Sequence, residues 1–474
     1  MKRNRKRSTK NGRGTMTARA GALALSAFLL GLTLPAGAAV VEVGTFDDFK
    51  RELLENNNSV ELSGNIAVSK DLPVDIKSKG LVIDGQGNKI IWTGADKSNA
   101  GLITLGTDAT TLTLKDITIT SMDQSGAYGS VIFRSGALSL DISGEVTLEN
   151  NKSLSSGSTL GFGGAIYSGG NLVISGEGAH LILSGNVASS EEKRVFGGAI
   201  YSGGVVAITA KSLDIVDNQV TTPIDMARGG AIYSGTTVSI IATQWLNIQG
   251  NHATGGNGRG GAIYSGGVVT IIAKSIDVTG NKATASGNAQ GGAIYSTKGD
   301  ITLSGGSILF EAQSGGVYAA SGGISVLAGE LSAAAGVNFS APKGTFSMAD
   351  GTALTVDGVA SSADATADKL FSVTAPYIAF GDPEKETSSV VLTVDGEAEK
   401  DLYFLIYSGS IITSGKENYG FDLSKYEKAT VRNAAVEGGS ALVLIYSNPE
   451  ETYTWLGTSG GAGVWDYDDA NTSV

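Results

Sequence analysis

Between residues 146 and 322 one pattern of apolar and polar positions returns every 31 to 34 residues. Each round holds a run in which the two kinds of side chain alternate. Val206, Ile208 and Ala210 form its apolar face in one round, Val238, Ile240 and Ala242 in the next, and Val269, Ile271 and Ala273 in a third. The column between them is mixed, with Ala207, Ser239 and Thr270 at equivalent places. Alternation with one wholly apolar face predicts a half-buried strand. A second apolar pair follows: Leu213 and Ile215, then Leu246 and Ile248, then Ile276 and Val278. Polar Asp214, Asn247 and Asp277 lie between the members of each pair and are expected to point outward. Three residues past the second strand comes an Asn: Asn151, Asn186, Asn218, Asn251 and Asn281. The segments after it, 152–162, 187–196, 219–228, 252–259 and 282–290, differ completely between rounds and are read as variable loops.

Each variable segment ends at the same hexapeptide. Gly-Gly-Ala-Ile-Tyr-Ser begins at Gly163, Gly197, Gly229, Gly260 and Gly291, and a weaker Gly-Gly-Val-Tyr begins at Gly315. Self-similarity at a fixed period identifies a repeat architecture. Three apolar-faced strands per round, with identical residues stacked between rounds, predict an all-β fold: a right-handed parallel β-helix. Each coil adds about 4.8 Å along the axis, the spacing of adjacent strands. The pairs Gly163-Gly164, Gly197-Gly198, Gly229-Gly230, Gly260-Gly261 and Gly291-Gly292 suit a corner where φ is positive or two backbones approach closely. The recurring Asn suits a second corner and an amide ladder. Tyr167, Tyr201, Tyr233, Tyr264 and Tyr295 are expected to form an aromatic ladder.

Outside the repeats the pattern is less regular. Residues 45–57 predict the one helix, capped by Thr45 with Asp48 three residues on, and with Phe46, Phe49, Leu53 and Leu54 on one face. Such a helix suits the open end of a stack of strands, which otherwise exposes apolar interior and unpaired edges. Residues 40–145 read as this cap plus irregular first coils, 146–322 as the regular repeats, 323–450 as an irregular β-rich region, and 451–474 as a Trp- and Gly-rich end.

Composition and charge bear on where the chain works. Residues 1–39 carry eight Lys and Arg, an apolar run over 20–34, Pro35 and then small residues, which reads as a secretory signal peptide. Without those eight residues, 26 basic face 46 acidic side chains, a net charge of −20. An acidic chain of this kind repels nucleic acid and anionic lipid. With no Cys, stability in an exported setting rests on stacking rather than disulfides.

Each round joins an aliphatic-x-x-Asn element to Gly-Gly-Ala-Ile about ten residues later: Leu148–Asn151, Leu183–Asn186, Ile215–Asn218, Ile248–Asn251 and Val278–Asn281 supply the first halves. This resembles the repeat of the chlamydial-type polymorphic outer membrane proteins, which pair Phe-x-x-Asn with Gly-Gly-Ala-Ile. Here an aliphatic residue replaces Phe in every copy, and the resemblance covers about residues 146–320. It implies a pectin-lyase-like solenoid that is the passenger of an autotransporter, displayed on the cell surface, often adhesive, and followed by a C-terminal outer-membrane barrel. Trp455, Gly457, Gly460, Gly461, Gly463 and Trp465-Asp466 resemble a motif of such passengers, which normally runs on; this sequence stops at Val474. The expected routes are a truncated reading frame, release, or another anchor.

The β-helix also carries polysaccharide lyases and hydrolases, so chemistry has to be sought in the residues themselves. His180 and His252 neither recur nor have a fixed acidic neighbour along the chain, and read as solvated. Glycoside hydrolysis needs clustered carboxylates. Asp214 and Asp277 share a column, but two rungs, about 9.6 Å, separate them, which is too far for one ion. No Gly-Gly-x-Gly-x-Asp nonapeptide is present. The expectation is a non-catalytic, adhesin-like or structural β-helix without cofactor or metal, binding a host or neighbouring-cell surface protein or glycan through the variable segments. The alternatives are a carbohydrate-active enzyme with its site within 84–133, and a scaffold that self-associates end to end.

Overall fold

The computed structural model describes residues 40–54, 59–70, 73–76, 80–94, 101–106, 111–125, 128–157, 159–311, 316–358, 365–381, 389–395, 402–408, 419, 421–424, 426, 429–437, 439–446, 452–456 and 464–468. The signal-peptide reading of 1–39 lies outside them, as does Gly315 of the weak sixth copy.

The chain from Val40 onward is a parallel β-solenoid with a single short helix among the described residues. The helix, Phe46–Leu54, starts where Thr45 satisfies its first turn. The Asp48 backbone N–H donates to Thr45 Oγ1 at 3.2 Å, and that hydroxyl donates to Asp48 Oδ2 at 2.7 Å. The Thr45 hydrogen bond, then Arg51, hold the Asp48 carboxyl below its usual range. Phe49 and Leu53 are buried, and Phe46 packs on the core from its margin. Leu54 is 49% exposed, so the apolar face is narrower than its spacing suggested.

Two large sheets enclose the main core. Eighteen described strands form one and fourteen the other. In the first, the strands Leu138–Glu149, Leu172–Ser184, Val206–Val216, Val238–Gln249, Val269–Thr279 and Ile301–Phe310 pair in parallel and in register. Val206, Ile208, Ala210, Leu213 and Ile215 all point into the core. The two strands expected from the sequence are thus one long strand. It bends between Ala210 and Leu213, where the alternation slips because Ser212 and Leu213 are both buried. In the second sheet the Ile-Tyr-Ser of every hexapeptide forms a three-residue strand, with Tyr167, Tyr201, Tyr233, Tyr264, Tyr295 and Tyr318 in one register column.

The variable segments are a second correction. Each contains two short strands rather than a loop. Lys152–Ser155, Val187–Ser190, Gln219–Thr221, His252–Gly255 and Lys282–Ala285 stack into a third sheet. Gly161–Phe162, Val195–Phe196, Met226–Arg228, Asn257–Arg259 and Ala289–Gln290 stack into a fourth. Ala188, Val195, Val220, Ala227 and Ala253 fill a small core of their own between them. Each coil therefore has a main loop and an ordered lateral lobe.

Past Gly322 both large sheets continue, through Ile324–Ala333, Ala353–Asp357 and Val390–Asp395 on one side and Asn338–Ser340, Phe371–Thr374 and Leu402–Ser408 on the other. Phe310, Phe339, Phe346, Phe371 and Phe380 fill this interior, where the regular coils use aliphatic residues. The second sheet ends in antiparallel strands, Leu402–Ser408 with Gly439–Tyr446 and the latter with Ala429–Val436. Thr452–Leu456 and Val464–Asp468 form an antiparallel pair in which Trp455 and Trp465 are register partners. The glycines between them lie outside the described residues.

Candidate functional site

Two corners hold the lateral lobe to the main coil. At the entry corner the left-handed residue is the one before each Asn: Asn150, Gly185, Asp217, Gly250 and Gly280 have φ between 54° and 63°. The Asn itself is not left-handed, contrary to the corner role its sequence suggested. Its side chain turns inward and is fully buried. Asn151 Nδ2 donates to Asn186 Oδ1 at 3.0 Å, Asn186 to Asn218 at 2.9 Å, Asn218 to Asn251 at 3.0 Å, and Asn251 to Asn281 at 2.9 Å. The same nitrogens donate to main-chain carbonyls, such as Asn218 Nδ2 to Leu183 O at 2.8 Å. Each acceptor oxygen also takes the backbone N–H of the Asn one coil earlier, as Asn218 Oδ1 does from Asn186. A buried amide with every group paired adds stability that an unpaired one would forfeit.

The Gly-Gly pair is the exit corner. Gly163, Gly197, Gly229, Gly260 and Gly291 have φ between 52° and 66°, where a side chain is strained. The second glycine is required for a different reason. A Cβ on Gly164 would overlap the Gly198 carbonyl oxygen and stand 2.7 Å from the Val187 backbone nitrogen; Gly198, Gly230 and Gly261 are equally crowded. The exit corner and the third sheet thus touch backbone to backbone, which divides the lobe core from the main core. After the corner, Ser168, Ser202, Ser234, Ser265 and Ser296 are buried. Ser234 Oγ, for example, donates between Gly204 O at 2.7 Å and Thr237 O at 2.8 Å, stitching the next turn.

On the outer side of the exit corner the tyrosine rings stack at 5.0–5.4 Å with interplanar angles of 2° to 8°. Phe162 and Phe196, the last residues of their lobes, stack on one another at 5.6 Å and meet Tyr201 and Tyr233 at 4.6 and 4.8 Å. Burial pushes the Tyr201 phenol up to about 12, helped by Tyr233, Tyr167 and Tyr128.

The tip of the lobe is mixed, with Ser and Thr beside the exposed Ile224 and Leu160. A cleft of about 380 Å³ opens there, lined among others by Ser156, Ser189, Glu191, Thr221 and Pro223 from successive coils. Glu191 Oε2 accepts the Gly157 backbone N–H at 3.3 Å, and Ser190 Oγ donates to Thr159 O at 3.0 Å, so neighbouring lobe tips are tied together.

His180 is a third correction: its Nε2 lies 2.7 Å from Asp214 Oδ2, its Nδ1 lies 3.7 Å from Glu145, and its ring meets the edge of Trp245. These contacts cross coils, and no spacing along the chain signals them. Within the 84–133 stretch considered for catalysis, Asp84 accepts Lys115 Nζ at 2.7 Å, and Gln86 donates to it from both backbone and side chain. Burial, then the charge of Glu311, push the Asp277 carboxyl up. Register places Asn247 between Asp214 and Asp277. Among the described residues no group of three His, Asp or Glu is arranged to hold a metal ion, and no helix is long and apolar enough to cross a membrane.

Comparison with known proteins adds one finding. Residues 40–161 match the model of a family described as a pectate lyase-like adhesive domain. The match spans the helix, the irregular first coils and the first lateral lobe. Searches of curated proteins and of solved structures returned no match.

Proposed function

We propose that this chain is an exported, adhesin-like β-helix that contacts a surface protein or glycan without catalysis, and that its contact surface is the row of lateral lobes. The observation that carries the reading is how the coil divides its sequence. From the corner glycine through the ladder Asn, 22 to 24 residues keep one set of columns; between the Asn and the next glycine, 8 to 11 residues share almost nothing. A solenoid needs the first part for stacking, whereas the second is free to vary while staying ordered. The adhesive description of the family matched by residues 40–161 supports the same reading. The repeat's likeness to polymorphic outer membrane proteins supports display at a cell surface as an autotransporter passenger. Immobilised protein is expected to retain cells or glycans and to release no oligosaccharide from acidic or neutral polysaccharides. Release of unsaturated or reducing ends in proportion to protein would overturn the reading.

A further inference from the structure

The position just before the corner glycine changes character along the stack. Phe162 and Phe196 occupy it in two coils, Arg228 and Arg259 in the next two, and Gln290 in the last, all in one register column. The coil therefore accepts an aromatic, cationic or neutral polar side chain here, and no packing rule demands Arg. Yet two guanidinium groups stand on adjacent rungs, half-buried, in a chain of net negative charge. Arg228 Cζ lies 4.9 Å from the Tyr264 ring centre, and Arg259 Cζ lies 5.2 Å from that of Tyr295. Cation–π contact explains why each guanidinium sits over its ring. It does not explain their pairing. Among the described residues no carboxylate comes within salt-bridge distance of either. Arg228 Nη2 donates to the weak acceptor Met226 Sδ at 2.9 Å and its guanidinium also bonds the Tyr233 phenol, but the Nε of both arginines is buried without a hydrogen-bond partner. An anion that accepts from both forks would relieve the repulsion between these adjacent like charges.

We infer that the exit corner, where lateral lobe and tyrosine sheet meet, is a subsite for an acidic glycan, with Arg228 and Arg259 holding its carboxylate or sulfate. The surroundings favour a sugar over other anions. Tyr201 and Tyr233, partly exposed beside the arginines, belong to a stack whose rings are 5.2 Å apart. That period is near the length of one pyranose unit and unlike the ~3.3–3.4 Å residue repeat of an extended peptide.

The inference names a ligand class for the adhesive reading and rests on it. It is tested by calorimetry of the full chain with an oligouronate, a sulfated oligosaccharide and a neutral oligosaccharide of equal length. One charged probe is expected to bind, more weakly as salt rises, and which one binds identifies the anion. Arg228→Gln with Arg259→Gln is expected to weaken it at least about tenfold, the loss of a charge-assisted hydrogen bond. Gln290 already fills this column, so the double variant is compatible with the coil, and an unchanged circular dichroism spectrum checks that. Arg259→Lys is expected to retain part of the affinity, since it keeps the charge and loses the fork. Equal binding of neutral and charged probes, binding unaffected by the double substitution, or no binding of either charged probe overturns the inference. Adhesion that needs the lobes but not the arginines leaves the adhesive reading standing alone; adhesion that needs neither removes both.

Discussion

At the scale of single residues, the ladders convert a repeated sequence into a repeated hydrogen-bond pattern. Asn218 is the clearest case. Its side chain accepts the backbone N–H and the Nδ2 of Asn186, and donates to Leu183 O and Asn251 Oδ1. Asn218→Ala leaves several buried groups without partners, each costing about 1–3 kcal/mol. It is expected to lower the unfolding midpoint in urea far more than Ser239→Ala on the outer face, a comparison that denaturant titration makes directly. The tyrosine ladder carries a pH dependence whose sign is fixed. The Tyr201 phenol titrates near about 12 in the folded chain, whereas a free tyrosine titrates near about 10. Above pH ~10 the unfolded chain gives up this proton first, so the contribution present below that pH falls away up to about 12. Thermal melts at pH 9 and pH 11 are expected to show lower stability at the higher pH, less markedly for Tyr201→Phe.

At the scale of elements, the lateral lobe is what the sequence hid and the rest is what it displayed. The columns of Ile166, Tyr167 and Ser168 and of Asn151 were legible because identical residues recur at one period. The lobe strands were not, because they are two to four residues long, too short to show alternation. Their core is made of small residues such as Ala188, Ala227 and Ala253, which carry little hydrophobic signal. The bend near Lys211 misled in the opposite direction, since a break in alternation looks the same whether the chain turns or the strand kinks. The His180–Asp214 contact bridges 34 residues and follows only from register. The small lobe core makes a definite test. Ala227→Leu overpacks it, at a cost of typically about 1–3 kcal/mol. Hydrogen exchange is expected to speed up in Gln219–Thr221 and Met226–Arg228 while Val206–Val216 stays protected; equal loosening of both would mean the lobe is not a separate packing unit.

At the scale of the whole solenoid, stability is a sum of coils and of the interfaces between them. Deleting residues 229–259 removes one whole period, from one corner glycine to the residue before the next. It lets Arg228 run into Gly260 as it now runs into Gly229. That protein is expected to fold with one rung fewer, whereas deletion of 229–244 places polar residues in core columns and is expected to abolish cooperative unfolding. Calorimetric melts of the two deletions separate these outcomes. The central claim, that the coil is a frame and the lateral lobes are the adhesive surface, has its most direct test in one binding measurement. The five lobe tips are replaced together by short Gly-Ser turns that keep the Asn ladder and the corner glycines, and retention of target cells is compared with the parent protein. The account expects the β-rich circular dichroism spectrum to survive and retention to be lost. Full retention by the lobe-trimmed protein, with its fold intact, would contradict it.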